Sequence, residues 1–111
     1  MKTKEVRFKR KYFEMVKSGS KTLECRINYP SLAKIKVGQV VIFFWENQSL
    51  KVEIIGIRQY KTFKEMLNNE VVAHLVPEMS YSSALKEYKS IYPEWKVAKF
   101  GGLIVLEFRM V

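Results

Sequence analysis

With 111 residues and a hydrophobic share of 48%, the chain has the size of one globular domain spanning 1–111 and is too apolar for a disordered segment. Its 20 Lys and Arg face 11 acids, all glutamate, for a net charge of +9; eleven of the cations fall in the first 36 residues beside three glutamates, an asymmetry that points to a polyanionic partner such as RNA. No stretch approaches the ~20 apolar residues of a membrane span, and the charged, alternating amino terminus does not read as a signal peptide, so no membrane partner is expected and the cytoplasm is the expected location.

The first element is a short strand at 5–9, where Val6 and Phe8 share a face. Residues 11–17 bring Tyr12, Phe13, Met15 and Val16 at helical spacing, and Gly19 in Ser18-Gly19-Ser20 supplies a left-handed cap. Residues 22–27 alternate, with Leu23, Cys25 and Ile27 on an apolar inner face and Thr22, Glu24 and Arg26 on a charged outer one. Pro30 and Ser31 open a loop or short helix. The β-branched and aromatic run at 40–45 reads as a central strand, 46–49 as a turn, and 50–57 as a returning strand with Val52, Ile54 and Gly56 on one side. Thr62 and Glu65 form a capping-box pattern that starts a helix running to about residue 68. Residues 71–76 are short, apolar and helical in character. Ser80 to Ser83 offer caps for a helix that Tyr92-Pro93 ends. Gly101 and Gly102 lead into a strong final strand at 103–110. The sum is a mixed α/β (α+β) domain with a mostly antiparallel sheet.

Familiar catalytic signatures are missing. The sequence has no nucleophile elbow, no phosphate loop, no dinucleotide fingerprint and no metal-type Cys/His cluster. No cofactor or metal is therefore expected. Cys25 is the single cysteine and reads as a small buried hydrophobe. His74 lies in an apolar context, where a structural histidine is the commoner outcome. The densest polar constellation is Gly19-Ser20-Lys21-Thr22-Leu23-Glu24-Cys25-Arg26. Two cations flanking a carboxylate on a rigid strand suit a phosphate, a base edge or a carbonyl. The plainer reading is an outer strand face with one Glu–Arg surface pair. Trp45, Tyr60, Tyr81, Tyr92 and Trp95 are candidates to stack a base, and each one singly is also an ordinary packing residue.

The order of motifs resembles the ASCH (activating-signal-cointegrator homology) family. The residues that carry the resemblance are G-x-K-T-x-E-x-R at 19–26 after a short helix, Tyr29-Pro30, Lys36-Val37-Gly38-Gln39, the run Ile57 to Leu67, Ile91-Tyr92-Pro93 and the closing strand. Gln39 stands where the family usually has Asp. The resemblance implies a PUA-like β-barrel of about five or six strands with two to four helices, acting as a monomer or weak dimer. It also implies a basic cleft that binds RNA, a nucleoside or a nucleotide through Lys21, Thr22, Glu24, Arg26 and Tyr29, with Lys9, Arg10 and Lys11 on nucleic-acid phosphates. One bacterial branch removes acetate from N(4)-acetylcytidine. Carried over from it, Lys21, Glu24 and Glu78 would be the catalytic set, but Glu24 occupies the position of that branch's nucleophilic Thr, and Thr22 lies roughly 7 Å away along a strand. Amidohydrolase and ribonuclease activities thus stand as alternatives to binding.

Overall fold

The computed structural model describes residues 3–111; Lys2, one of the cations counted above, lies outside them. Five strands, β1 (Glu5–Arg7), β2 (Leu23–Ile27), β3 (Val40–Trp45), β4 (Gln48–Tyr60) and β5 (Leu103–Met110), form one sheet in the order β1-β3-β4-β5-β2. The β1–β3 pair is parallel and the other three are antiparallel. Six helical segments accompany it: α1 (Arg10–Ser18), α2 (Pro30–Ala33), α3 (Phe63–Asn69), α4 (Val72–Leu75), α5 (Tyr81–Ile91) and α6 (Glu94–Lys99). The sheet curls into a half-barrel consistent with the PUA-like fold the resemblance implies. Among the described residues no helix is long and apolar enough to cross a membrane.

Local chemistry explains most boundaries. Gly19 closes α1 at φ 87°, and its N–H donates to the Val16 carbonyl, a conformation that costs glycine little. The Thr62 side chain accepts from Glu65 N at the start of α3, and Ser80 accepts from Ser83 N at the start of α5. The helix count exceeds the expected two to four because α2 and α4 are single turns and α6 begins where the sequence reading only stopped a helix. Pro93 does both tasks: it interrupts α5 and then caps α6, where a missing N–H costs nothing.

Strand β4 extends beyond the expected 50–57 to Tyr60 and carries a register shift between Ile54 and Gly56. This bulge changes the alternation. Val52 and Ile54 are fully buried, Ile55 is left exposed, and Ile57 resumes the inward face.

Both faces of the sheet are covered. Inside the curl lie Val6, Phe8, Phe13, Val16, Val41, Phe43, Ile104, Leu106 and Phe108. On the outer face, Leu23, Cys25, Ile27, Leu103 and Val105 pack under Phe63, Met66, Leu67, Leu75, Ala84, Tyr88 and Val97 from α3 to α6. Double burial is why 103–106 reads as a continuous apolar run rather than an alternating one.

Candidate functional site

The register of β2 decides where its charges go. Glu24 pairs with Leu106 and Arg26 with Ile104; directly paired residues share a face, so both polar side chains point to the inside of the curl. The sequence pattern suggested an exposed outer face. Instead Glu24 is 7% exposed and Lys21 only 2%. A cavity of about 590 Å3 lies there, between the two edge strands β1 and β2, within the range of small-ligand sites.

Lys21 reaches its place because the Gly19 turn reverses the chain. The Lys21 N–H donates to the Met15 carbonyl and the Thr22 N–H to the His74 carbonyl, which lays the chain between α1 and α4. The Lys21 Nζ then donates to the carbonyls of Leu23 (2.7 Å) and Leu75 (2.5 Å) and sits 3.1 Å from Glu24 Oε1. An ammonium has three donors, and all three are engaged. Lys21 therefore fixes Glu24 and ties β2 to α4 rather than offering hydrogen bonds to a ligand.

Arg26 Nε donates to Glu24 Oε2 at 2.9 Å, and its Nη2 donates to the Arg7 carbonyl at 2.6 Å. That second bond bridges β2 to β1, the two sheet edges that do not pair with each other. The Arg26 guanidinium also lies 5.0 Å from the Phe8 ring centre. A guanidinium has five N–H donors, so Arg26 retains donors for a ligand. Glu24 likewise keeps acceptor capacity, since a carboxylate offers about four lone-pair sites.

Burial works to raise the Glu24 pKa, but the charges of Lys21 and Arg26 outweigh it and hold the carboxyl below its ordinary value of 4.5. Glu24 is an anion at neutral pH. Burial, aided by the Glu87 carboxylate that accepts from its hydroxyl at 3.2 Å, pushes Tyr12 up to about 12. Burial likewise raises Tyr88, Tyr92 and the Cys25 thiol. Protonated phenols therefore surround one carboxylate. The remaining walls are Phe8, Trp45, Val76 and Ile91, and Arg7, Lys9 and Arg10 line the cavity with them. Arg10 stacks 5.4 Å over the Trp45 ring.

The residues expected from sequence divide into two groups. Lys21, Glu24, Arg26, Lys9 and Arg10 meet at the cavity. Thr22, Tyr29, Lys11 and Glu78 do not line it. Thr22 precedes β2, and its backbone bonds His74 and Phe108. Tyr29 packs edge-on against Phe100 at 4.8 Å, with Lys96 Nζ over its ring. Lys11 is exposed beside Glu87 at 3.9 Å. Glu78 is exposed at a left-handed φ of 70°. Of the stacking candidates, Trp45 and Tyr92 line the cavity, whereas Tyr60 donates to Glu70 in a separate network with Arg58 and Glu107. Tyr12 and Tyr88 line the cavity and were not singled out from sequence. Only their helical phase, facing β2 from α1 and α5, distinguishes them. Among the described residues no group of three metal-ligating side chains comes together.

Comparison with known proteins places this geometry in context. The family model of the ASCH domain matches residues 2–111. The solved structure of hypothetical protein PH0355 is 32% identical, covers 99% of this chain and all of its own, and superposes with a TM-score of 0.88. The solution structure of protein PF0455 from Pyrococcus furiosus is 28% identical, covers 99% of this chain and 98% of its own, and gives 0.77. Neither name carries a ligand or an activity. No curated protein matches the sequence.

Proposed function

Since the chain belongs to the ASCH domain family, we propose that it is a non-catalytic RNA- or nucleotide-binding domain that seats one nucleotide in the cavity between β1 and β2. The observation that carries the reading is a buried, ionised Glu24 beside Arg26 in an aromatic-walled cavity with Arg7, Lys9 and Arg10 along it. Aromatic walls suit a base, the Glu24–Arg26 pair suits its polar edge, and the cations suit phosphate. The family resemblance, the net charge of +9 and the concentration of cations before residue 37 favour a polyanion in the same direction. A cytoplasmic setting agrees with a lone buried thiol.

Hydrolysis has weaker support. Lys21 has every donor engaged, Glu24 is tied down by two cations, Cys25 keeps its proton, and Glu78 lies away from the cavity. Neither the amidohydrolase nor the ribonuclease reading gains a positioned nucleophile.

The test is fluorescence anisotropy with labelled single-stranded RNA across a salt series. Affinity should fall steeply with salt, and the combined Lys9→Ala and Arg10→Ala variant should reduce the log–log slope by about 1.4, at roughly 0.7 per lost phosphate contact. Binding that ignores both salt and the double substitution would point to an uncharged ligand such as a nucleoside. An absence of binding to RNA, nucleotides and nucleosides alike would overturn the reading.

A further inference from the structure

Among the described residues, two buried side-chain polar atoms have no hydrogen-bond partner: Asn28 Oδ1 and the Tyr88 hydroxyl. Asn28 does not line the cavity; Tyr88 does. Tyr88 is 5% exposed, and its ring is fixed from behind by Phe63, stacked at 5.3 Å and 12°. An orphaned buried hydroxyl costs stability, because it has lost water and gained nothing in return. Phenylalanine would fill the same space without that cost. The hydroxyl is therefore a group with no structural task, on a residue that lines the cavity with Glu24 and Arg26.

Resting on the binding proposed above, we propose that the Tyr88 hydroxyl is a specificity-determining ligand contact that, together with Glu24, reads the polar edge of a nucleobase. The two groups are complementary in kind. Glu24, as a carboxylate, only accepts, so it takes an exocyclic amino or ring N–H. Tyr88 both donates and accepts; beside a carboxylate that already accepts, it donates to the neighbouring ring nitrogen or carbonyl oxygen of the same edge. Burial holds the proton on the phenol, and the Glu24 charge acts in the same sense. Arg26, with free N–H groups, faces the same space. A phosphate only accepts and so cannot satisfy Glu24, while the ribose hydroxyls can both donate and accept, which makes ribose 5-phosphate the control that separates sugar from base.

The test pairs a binding with a stability measurement on Tyr88→Phe, using isothermal titration with the four ribonucleoside monophosphates, ribose 5-phosphate and a short single-stranded RNA. The variant should unfold at a temperature equal to or above that of the wild type, since an unsatisfied group has gone. Its affinity for the preferred nucleotide should nonetheless drop about tenfold, the value of one ligand hydrogen bond near 1.4 kcal/mol. Ribose 5-phosphate should bind weakly to both proteins and show no difference between them. Wild-type binding that Tyr88→Phe leaves unchanged would overturn this inference and leave the proposed function standing; a wild type that binds none of the ligands would overturn both. Equal affinity for mononucleotide and RNA would mark a free nucleotide as the source of the base, and a large gain with RNA would mark a strand. A lower unfolding temperature in the variant would show that the hydroxyl has a structural partner and would also overturn the inference.

Discussion

Replacing Glu24 by alanine is expected to destabilise the protein by about 3–5 kcal/mol, the cost of removing one member of a buried ion pair and leaving the other unpaired. The partner left behind is Lys21, whose side chain is 1% exposed and 3.1 Å from the carboxylate. It would keep two carbonyl acceptors and lose its counter-charge. Arg26, whose side chain is 23% exposed and keeps the Arg7 carbonyl, would lose less. The carboxylate also gives the effect a pH signature. Its folded pKa lies below the ordinary 4.5, so its stabilising contribution is complete above that value and is lost as pH falls through the folded pKa. Glu70 is held low as well: Arg58 and Tyr60 hydrogen bonds outweigh its burial, so it adds to the same acid limb. Urea unfolding of wild type and Glu24→Ala at pH 7 and at successive steps below pH 4.5 should show the two curves converging in acid. A loss under about 1 kcal/mol at pH 7 would mean that Lys21 is solvated in the variant rather than stranded.

Gly102→Ala should cost about 3 kcal/mol, at the upper end for strained backbone and overpacking. Gly102 joins α6 to β5 with φ 120°, a conformation that side chains rarely adopt, and a Cβ there would fall 2.2 Å from the Tyr60 carbonyl oxygen. Backbone cannot yield as a flexible side chain does. The two backbone bonds of Gly102, from its N–H to Val97 O and from Asn28 N–H to its carbonyl, tie α6 and the end of β2 to the start of β5. The strain is thus felt where α6, the end of β2 and the start of β5 meet. Gly101→Ala, with φ 78° and nothing within 4 Å of the added carbon, should cost about 1 kcal/mol. Thermal unfolding of both variants separates the steric effect from the conformational one. Equal losses would contradict the close approach.

The sequence was most legible where local rules act alone. Gly19, the Thr62–Glu65 box, the Ser80 cap and the doubly buried β5 each announce themselves within a few residues. Elements that depend on tertiary context were harder to read. The bulge at Ile55 cannot be told from continued alternation until β5 is placed beside β4. Helix α6 is hidden by a proline that reads as a stop. For the site, the 19–26 motif picks out Lys21, Glu24 and Arg26, which the structure brings to one cavity, but its alternation reads as an exposed outer face where Lys21 and Glu24 are buried. Period-two alternation says only that two faces differ, not that a curled sheet will cover both. The role of Lys21 was invisible for the same reason, because its acceptors, including a carbonyl 54 residues away, are set by packing. Tyr12 and Tyr88 carry no motif. Glu78 rests on the resemblance alone, with no local pattern behind it, and in the structure it is exposed and does not line the cavity.

The most direct measurement is a nuclear magnetic resonance titration of the isotope-labelled protein with the nucleotide or short RNA that binds it. The expected result is that the largest shifts fall on backbone amides of 24–26 and 9–12, on the Arg26 side chain and on α5 around Tyr88, the groups that meet at the cavity. Shifts gathered instead around Lys61, Lys64 and Lys89, which line a separate concavity of about 350 Å3, with the β1–β2 cavity unmoved, would contradict the account.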